Sequence, residues 1–307
     1  MGKNSSQSDI GIPRRTLDEL LALHELESGV KDIFVEGDLD ARLIRWYLLR
    51  RGHRHIQVYK IDAIDIDSNI DCDTINGNRH RIVALAQLLR DFDKPEKISC
   101  ICDQDFETWF PTIEDPCPSL LFTDFANLEG YVWNSVVFEK FLSVVVGSRE
   151  VTWVDLSRSL VPILVTCFFI RLAHAKLGWP LAWIEPTGCC QYKRGSVTFN
   201  SDEFLNRLLQ KNKHFHQKDL IKAELLQLNS TNRLDPRLTM HGHDLSNVLR
   251  WYLHKHGMKC NVDEDGVVGS LFGCLEVEEL RQCALFTELE RRANFVRNSL
   301  PKMSIAP

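Results

Sequence analysis

Four acidic side chains stand where phosphate chemistry could use them. Glu36 and Asp40 close the stretch Asp32-Ile33-Phe34-Val35-Glu36-Gly37-Asp38-Leu39-Asp40. Asp103 and Asp105 end a second stretch, Ile98-Ser99-Cys100-Ile101-Cys102-Asp103-Gln104-Asp105-Phe106. Each is a short apolar run with carboxylates at its C-terminal end, the pattern of a buried parallel strand. In open α/β sheets, ligands gather at the carboxyl ends of such strands. Clustered carboxylates repel one another unless a cation neutralises them, and hard oxygen ligands select Mg²⁺ or Mn²⁺. The pattern therefore predicts a metal site for phosphate chemistry. Gly37 lets the backbone turn tightly and a phosphate approach closely. Asp40, one turn into a following helix, is expected to project back toward Glu36, with Asp38 pointing away as a helix N-cap. Asp103 and Asp105 fall on one side of an extended backbone, because side chains alternate with period two.

Further segments join these in chain order. Asn76-Gly77-Asn78-Arg79 precedes a helical run and reads either as an anion-receiving turn, with Asn78 and Arg79 binding phosphate, or as a plain loop and N-cap. Thr123-Asp124-Phe125-Ala126-Asn127-Leu128-Glu129 follows a short apolar strand, and His241-Gly242-His243-Asp244 opens a late helix. Capping is an alternative role for Asp124, Asn127 and Asp244.

Glu-Gly-x-x-Asp after a first strand, followed by Asp-x-Asp after a later one, resembles the Toprim domain of topoisomerases, primases and OLD-type nucleases. With Asn76 to Arg79, Thr123 to Glu129 and Gly242 to Leu245 in the same order, the series looks like the stand-alone Toprim nucleases of bacterial anti-phage defence islands, the effector family of PARIS systems. The resemblance spans residues 16 to 260. It implies a metal-dependent endonuclease with Glu36, Asp103, Asp105 and His243 as catalytic residues. It assigns Glu36, Asp40, Asp103, Asp105 and Glu129 as ligands to Mg²⁺ or Mn²⁺, in all two ions. Such a pair activates a water and stabilises the leaving oxygen of an in-line displacement. His243 stands where relatives carry a lysine that neutralises transition-state charge. Histidine is the weaker electrostatic partner, although it can also shuttle a proton. Lys60 and Arg79 are the other cations considered for that role.

The resemblance also implies partners. An ABC-type ATPase subunit would restrain the nuclease, a phage protein would trigger release, and the freed enzyme, a homodimer when active, would cut host tRNA. The choice of RNA comes from the resemblance alone. An OLD-type DNA nuclease and a non-catalytic Toprim scaffold are the alternatives. The intact carboxylates count against the scaffold, since clustering them without metal is costly. Topoisomerase and primase readings find no second DNA-handling domain with a candidate tyrosine and no zinc module.

Composition is that of an ordinary globular chain: 307 residues, 44% hydrophobic and 26% charged. The net charge of −5 argues against indiscriminate coating of nucleic acid. Local basic runs such as Arg42, Arg45, Arg50, Arg51 and Arg54 remain available to phosphate or solvent. None of the ten cysteines forms a Cys-x-x-Cys pair, which favours reduced thiols over zinc ligands or disulfides. The acidic run Asp62 to Asp73 lacks EF-hand register and reads as a solvated loop. No Walker motif is present, so any ATPase would be a separate subunit. Met1 to Asp9 has no apolar core, and the apolar segment Leu160 to Ile170 is short and contains Pro162. A cytoplasmic protein without membrane contact is expected.

The elements that must position these groups follow from periodicity. Strands near Ile33 to Val35, His55 to Ile61, Ile98 to Cys102 and Leu120 to Thr123 alternate with helices over Leu39 to Arg50 and Arg79 to Asp91. That alternation predicts an α/β unit of Toprim type, a parallel sheet flanked by helices. A flexible N-terminus (1–15), a nuclease domain (16–140) and a mainly helical domain (141–307) with a hairpin within 181–200 are expected. A last helical run is expected over Leu275 to Asn298, and truncation after Gly257 should impair ATPase binding or dimer formation before it disturbs the metal site.

Overall fold

The computed structural model describes residues 14–66, 77–113, 117–148, 150–229, 235–258 and 264–295. The N-terminal residues 1–13, Asn76 and the acids Asp67, Asp71 and Asp73 lie outside the described residues. The chain divides into two compact units: 1–102, 115–122 and 285–307 form one, and 103–114 with 123–284 the other.

In the first unit, Thr16 caps α1 (Leu17–Leu26) through a capping box with Glu19. The two-residue β1 (Arg15–Thr16) pairs in parallel with β4 (Ile64–Asp65). The main sheet comprises β2 (Lys31–Val35), β3 (Ile56–Lys60), β5 (Ile98–Cys102) and β6 (Leu120–Phe122), all parallel, in the order β3-β2-β5-β6. Every residue of β2 and of β5 is buried, as expected for central strands covered on both faces. α2 (Asp38–Arg50) buries Leu43, Ile44, Tyr47 and Leu48 at helical spacing. α3 (Asn78–Leu88) buries Ile82, Leu85 and Ala86.

The C-terminal helix returns to this unit, which the expected division into 16–140 and 141–307 did not anticipate. The run expected over Leu275 to Asn298 is broken into α10 (Val277–Leu280) and α11 (Ala284–Phe295). Phe286 of α11 packs on Tyr47 with ring centroids 4.6 Å apart, and Glu290 accepts the Tyr47 hydroxyl at 2.6 Å. Arg292 donates to Ser99 Oγ at 3.0 Å and to the carbonyls of Pro95 (3.2 Å) and Pro118 (2.6 Å). Lys31 Nζ in turn donates to the Arg292 carbonyl. Burial pushes the Lys31 ammonium down to about 8. These contacts tie the two ends of the chain together, so the helix belongs with the sheet.

The second unit is mainly helical. Its core helix, α5 (Trp153–Lys176), packs against α7 (Lys218–Asn229) and α8 (Gly242–Lys255). α5 is long and apolar enough to cross a membrane by length and composition, but more than half of its most apolar window is buried inside the fold. A core helix satisfies the same test. α4 (Ser135–Lys140) precedes it, and α6 (Ser201–Lys211) and α9 (Glu264–Phe272) complete the unit. Within 181–200 the hairpin is present: β7 (Cys190–Lys193) pairs antiparallel with β8 (Ser196–Phe199). Its two-residue loop has Arg194 at φ 49° and Gly195 at φ 81°, the type I′ geometry that matches strand twist. The eight described cysteines are thiols and form no disulfide with one another.

Candidate functional site

The order β3-β2-β5-β6 reverses its chain direction between β2 and β5. Such a switch point is where open α/β sheets place their ligands. Glu36 follows β2 directly and Asp103 follows β5 directly.

In the sheet unit, Asn78 Nδ2 donates to the Glu36 main-chain carbonyl at 2.7 Å. Asn78 therefore braces the Glu36 turn from the start of α3. Asp40 Oδ2 accepts the Gly37 N–H at 2.8 Å, at the first turn of α2. A Cβ on Gly37 would stand 3.2 Å from that oxygen, so glycine keeps the approach open. Burial pushes the Asp40 carboxyl up, the Gly37 N–H pulls it down and the charge of Asp38 adds to the rise. Gly37, not Asp38, occupies the N-cap position; Asp38 is exposed, 3.9 Å from Lys60 Nζ. Lys60 pairs with Asp62 at 2.9 Å, and that bond raises its ammonium above the usual lysine range. Asp62 also takes Arg81 at 2.8 Å. Arg79 Nη1 lies 2.9 Å from the Cys102 sulfur, at the end of β5.

In the helical unit, the segment after β5 turns instead of continuing extended. Gln104 N–H donates to Thr123 Oγ1 at 2.9 Å and Asp105 N–H to the Ala126 carbonyl at 2.7 Å. Asp105 adopts φ 43°, a left-handed conformation that aspartate tolerates better than most residues. The expected same-side alternation of Asp103 and Asp105 is thus replaced by a turn, because Thr123 and Ala126 capture the backbone donors. Ala126 N–H continues the ladder to the Arg237 carbonyl at 3.1 Å.

Glu129, in the 3₁₀ turn Leu128–Val132, abuts the first residue of α8. A Cβ on Gly242 would lie 2.3 Å from its carboxyl carbon and 2.3 and 2.6 Å from its oxygens. Glycine there admits a carboxylate to a helix N-terminus, whose dipole favours negative charge. His241 caps α8, its Nδ1 accepting the His243 N–H at 3.3 Å. Burial, with help from the nearby Arg171 charge, pushes the His241 imidazole down to about 4. His243 is exposed on the first turn and ring-stacked on His241 at 5.6 Å.

Asp244 is not a cap. It receives Arg171 bidentately (2.9 and 3.1 Å) and the Trp183 indole N–H (2.8 Å). The Arg171 guanidinium stacks 3.6 Å from the Trp183 ring centroid. Asp124 accepts the Tyr131 hydroxyl at 2.6 Å and the Ala284 N–H, at the start of α11, also at 2.6 Å. Asn127 Nδ2 donates to the Met240 carbonyl. Sequence reasoning did not pair Asp244 with Arg171 or Trp183, 73 and 61 residues away; no local motif marks that pairing.

The donor chemistry fits a hard divalent cation, since Glu36, Asp40, Asp103, Asp105 and Glu129 offer only carboxylate oxygen. Among the described residues, however, no group of three or more His, Cys, Asp or Glu side chains is gathered as a metal cage. The carboxylates are positioned in two sets, Glu36 and Asp40 on the sheet unit, and Asp103, Asp105 and Glu129 on the helical unit. No family model matches the chain, and no curated protein matches it.

Proposed function

We propose that this chain is a divalent-cation-dependent Toprim-type endonuclease. The observation that carries the reading is the sheet order: it puts Glu36-Gly37 and Asp103-x-Asp105 directly after the two strands that flank the switch point. Glu36, Asp40, Asp103, Asp105 and Glu129 would hold Mg²⁺ or Mn²⁺, which when bound supplies a nucleophilic water and charge neutralisation at the leaving oxygen. Asn78 sets the Glu36 turn, and the N-terminus of α8 sets the Glu129 carboxylate. Burial and the Arg171 charge keep His241 neutral at pH 7, so it is no stand-in for a cation. His243, Lys60 and Arg79 remain the groups to test for that role, and Lys60 already spends its charge on Asp62.

The resemblance to PARIS effectors supplies the rest of the proposal: a cytoplasmic toxin restrained by an ABC-type ATPase, released by a phage protein, active as a homodimer and directed at tRNA. The alternatives to this reading are an OLD-type DNA nuclease and a non-catalytic Toprim scaffold.

Purified chain is incubated with bulk tRNA, or with supercoiled DNA, in Mg²⁺ or Mn²⁺. Cleavage of tRNA that stops with EDTA and in folded Glu36→Gln protein is expected, with Asp103→Asn and Asp105→Asn each at least ~10²-fold slower. Cleavage of DNA alone assigns the OLD-type substrate. Activity that survives EDTA or Glu36→Gln refutes the catalytic scheme.

A further inference from the structure

The helical unit carries an open groove of about 680 Å³, unrelated to the carboxylates in its chemistry. One wall is the start of α5, where Trp153, Ser157 and Arg158 share a face. Trp153 is half-buried; Trp133 stands edge-on to it at 5.0 Å and Phe138 lies tilted against it at 5.1 Å. Trp133 itself is only 5% exposed, so the exposed part of Trp153 rests on a rigid aromatic backing. Arg158 is exposed and has no hydrogen-bond or ion-pair partner among the described residues. Across the groove, Arg237 is held by Asp235 at 2.5 Å and lies 4.1 Å from the Phe125 ring centroid. The backbone of Arg237 is the far end of the ladder through Ala126 to Asp105. The groove is thus joined to the Asp103–Asp105 turn by two main-chain hydrogen bonds.

We infer that this groove is a subsite for an unpaired nucleobase of a single-stranded nucleic acid, stacked on Trp153 with its phosphate on Arg158. The inference rests on the nuclease reading and names where its substrate is held. A backed aromatic face beside an unpaired guanidinium is the pairing that single-strand binders use, because every base has a π-face and every nucleotide a charge. The Asp235 carboxylate, saturated by Arg237, adds no free negative charge to repel the strand. Ser157 Oγ donates to the Val154 carbonyl at 3.2 Å and keeps its acceptor capacity for the base edge.

The test separates binding from cleavage. Anisotropy of a fluorescent, unstructured RNA strand, and of the matching DNA strand, is followed with full-length Glu36→Gln protein in EDTA. Trp153→Ala should weaken binding roughly 5- to 150-fold, the value of one stacked base. Trp153→Phe should retain most of the affinity, since a stacking face survives. Arg158→Glu should weaken binding and lower the salt slope by about one or more. Preference for RNA would add the ribose hydroxyl to the recognition; equal affinity would leave base and phosphate as the whole of it, and either supports the subsite. Wild-type affinity in both Trp153→Ala and Arg158→Glu overturns the proposal. Equal losses in Trp153→Phe and Trp153→Ala do so as well, as does failure of either strand to bind. Loss of cleavage in Glu36→Gln with binding retained bears on the catalytic reading alone.

Discussion

Gly242 separates the fold from the site, and replacing it with alanine tests the placement of Glu129. The new Cβ would stand 2.3 Å from the Glu129 carboxyl carbon, whereas ordinary contact begins near 3.4 Å. The carboxylate must therefore move by about 1 Å or more, which it can do by rotating a flexible side chain. The backbone of Gly242 has no positive φ, so alanine is conformationally acceptable. Alanine improves helix propensity by at most ~1 kcal/mol, while the carboxylate loses roughly 0.3–1 kcal/mol of helix-dipole interaction. The two nearly cancel, and Gly242→Ala should unfold within a few degrees of wild type. Displacing a group at the chemistry by 1 Å costs on the order of 10²-fold in rate. Cleavage should fall by that amount, and Gly242→Ala should add nothing to Glu129→Ala, because both remove the same carboxylate. Differential scanning fluorimetry and metal-dependent cleavage of labelled tRNA give the two readouts. A stable Gly242→Ala protein that cuts at the wild-type rate removes Glu129 from the site. Gross unfolding would refute the steric reasoning instead.

Three further outcomes follow from the packing. Asp244→Ala leaves the partly buried Arg171 charge and the Trp183 indole N–H without their buried acceptor; it should cost about 3–5 kcal/mol, or roughly 6–20 °C in melting temperature, and a loss below ~1 kcal/mol would show that the cluster is dispensable. His174 and His241 are both pushed down to about 4, chiefly by burial, so the unfolded chain binds more protons than the folded one between pH 6.5 and 4. Stability should be full above pH 6.5 and decline as pH falls to 4, and His174→Asn should flatten part of that decline in urea titrations; a flat wild-type profile contradicts the assignment. Ending the chain after Cys283 removes buried Phe286, Leu289 and Ala293 together with Arg292, a loss of roughly 5–8 kcal/mol against a typical total of about 5–15. Limited proteolysis should then digest the sheet unit, against the expectation that truncation after Gly257 impairs partner binding before it disturbs the metal site; a resistant sheet unit would restore that expectation.

Where local chemistry suffices, the chain is readable. The capping box at Thr16, the buried run Ile98 to Cys102, the helix that starts next to Glu-Gly-x-x-Asp and the Arg194-Gly195 turn all depend on neighbours within a few residues. Their hydrogen bonds and buried faces are settled by spacing. α9 escaped notice because Gly266 and Gly269 weaken its helical signal. The long C-terminal run reads as one helical stretch because periodicity does not show where tertiary partners interrupt it.

The residues around the candidate site divide along the same line. Sequence alone determined that carboxylates follow two parallel strands, side chains whose hard oxygens suit divalent cations. Tertiary structure decided that β2 and β5 are neighbours, since strand order depends on which crossover packs where. It turned Asp103 and Asp105 out of an extended path, because Thr123 and Ala126 offered acceptors to the N–H groups of Gln104 and Asp105. It gave Asp244 to Arg171 and Trp183 instead of a cap, and it set Glu129 against Gly242. Each of those outcomes joins groups some twenty to more than a hundred residues apart, and no local propensity encodes which distant partner satisfies a buried charge.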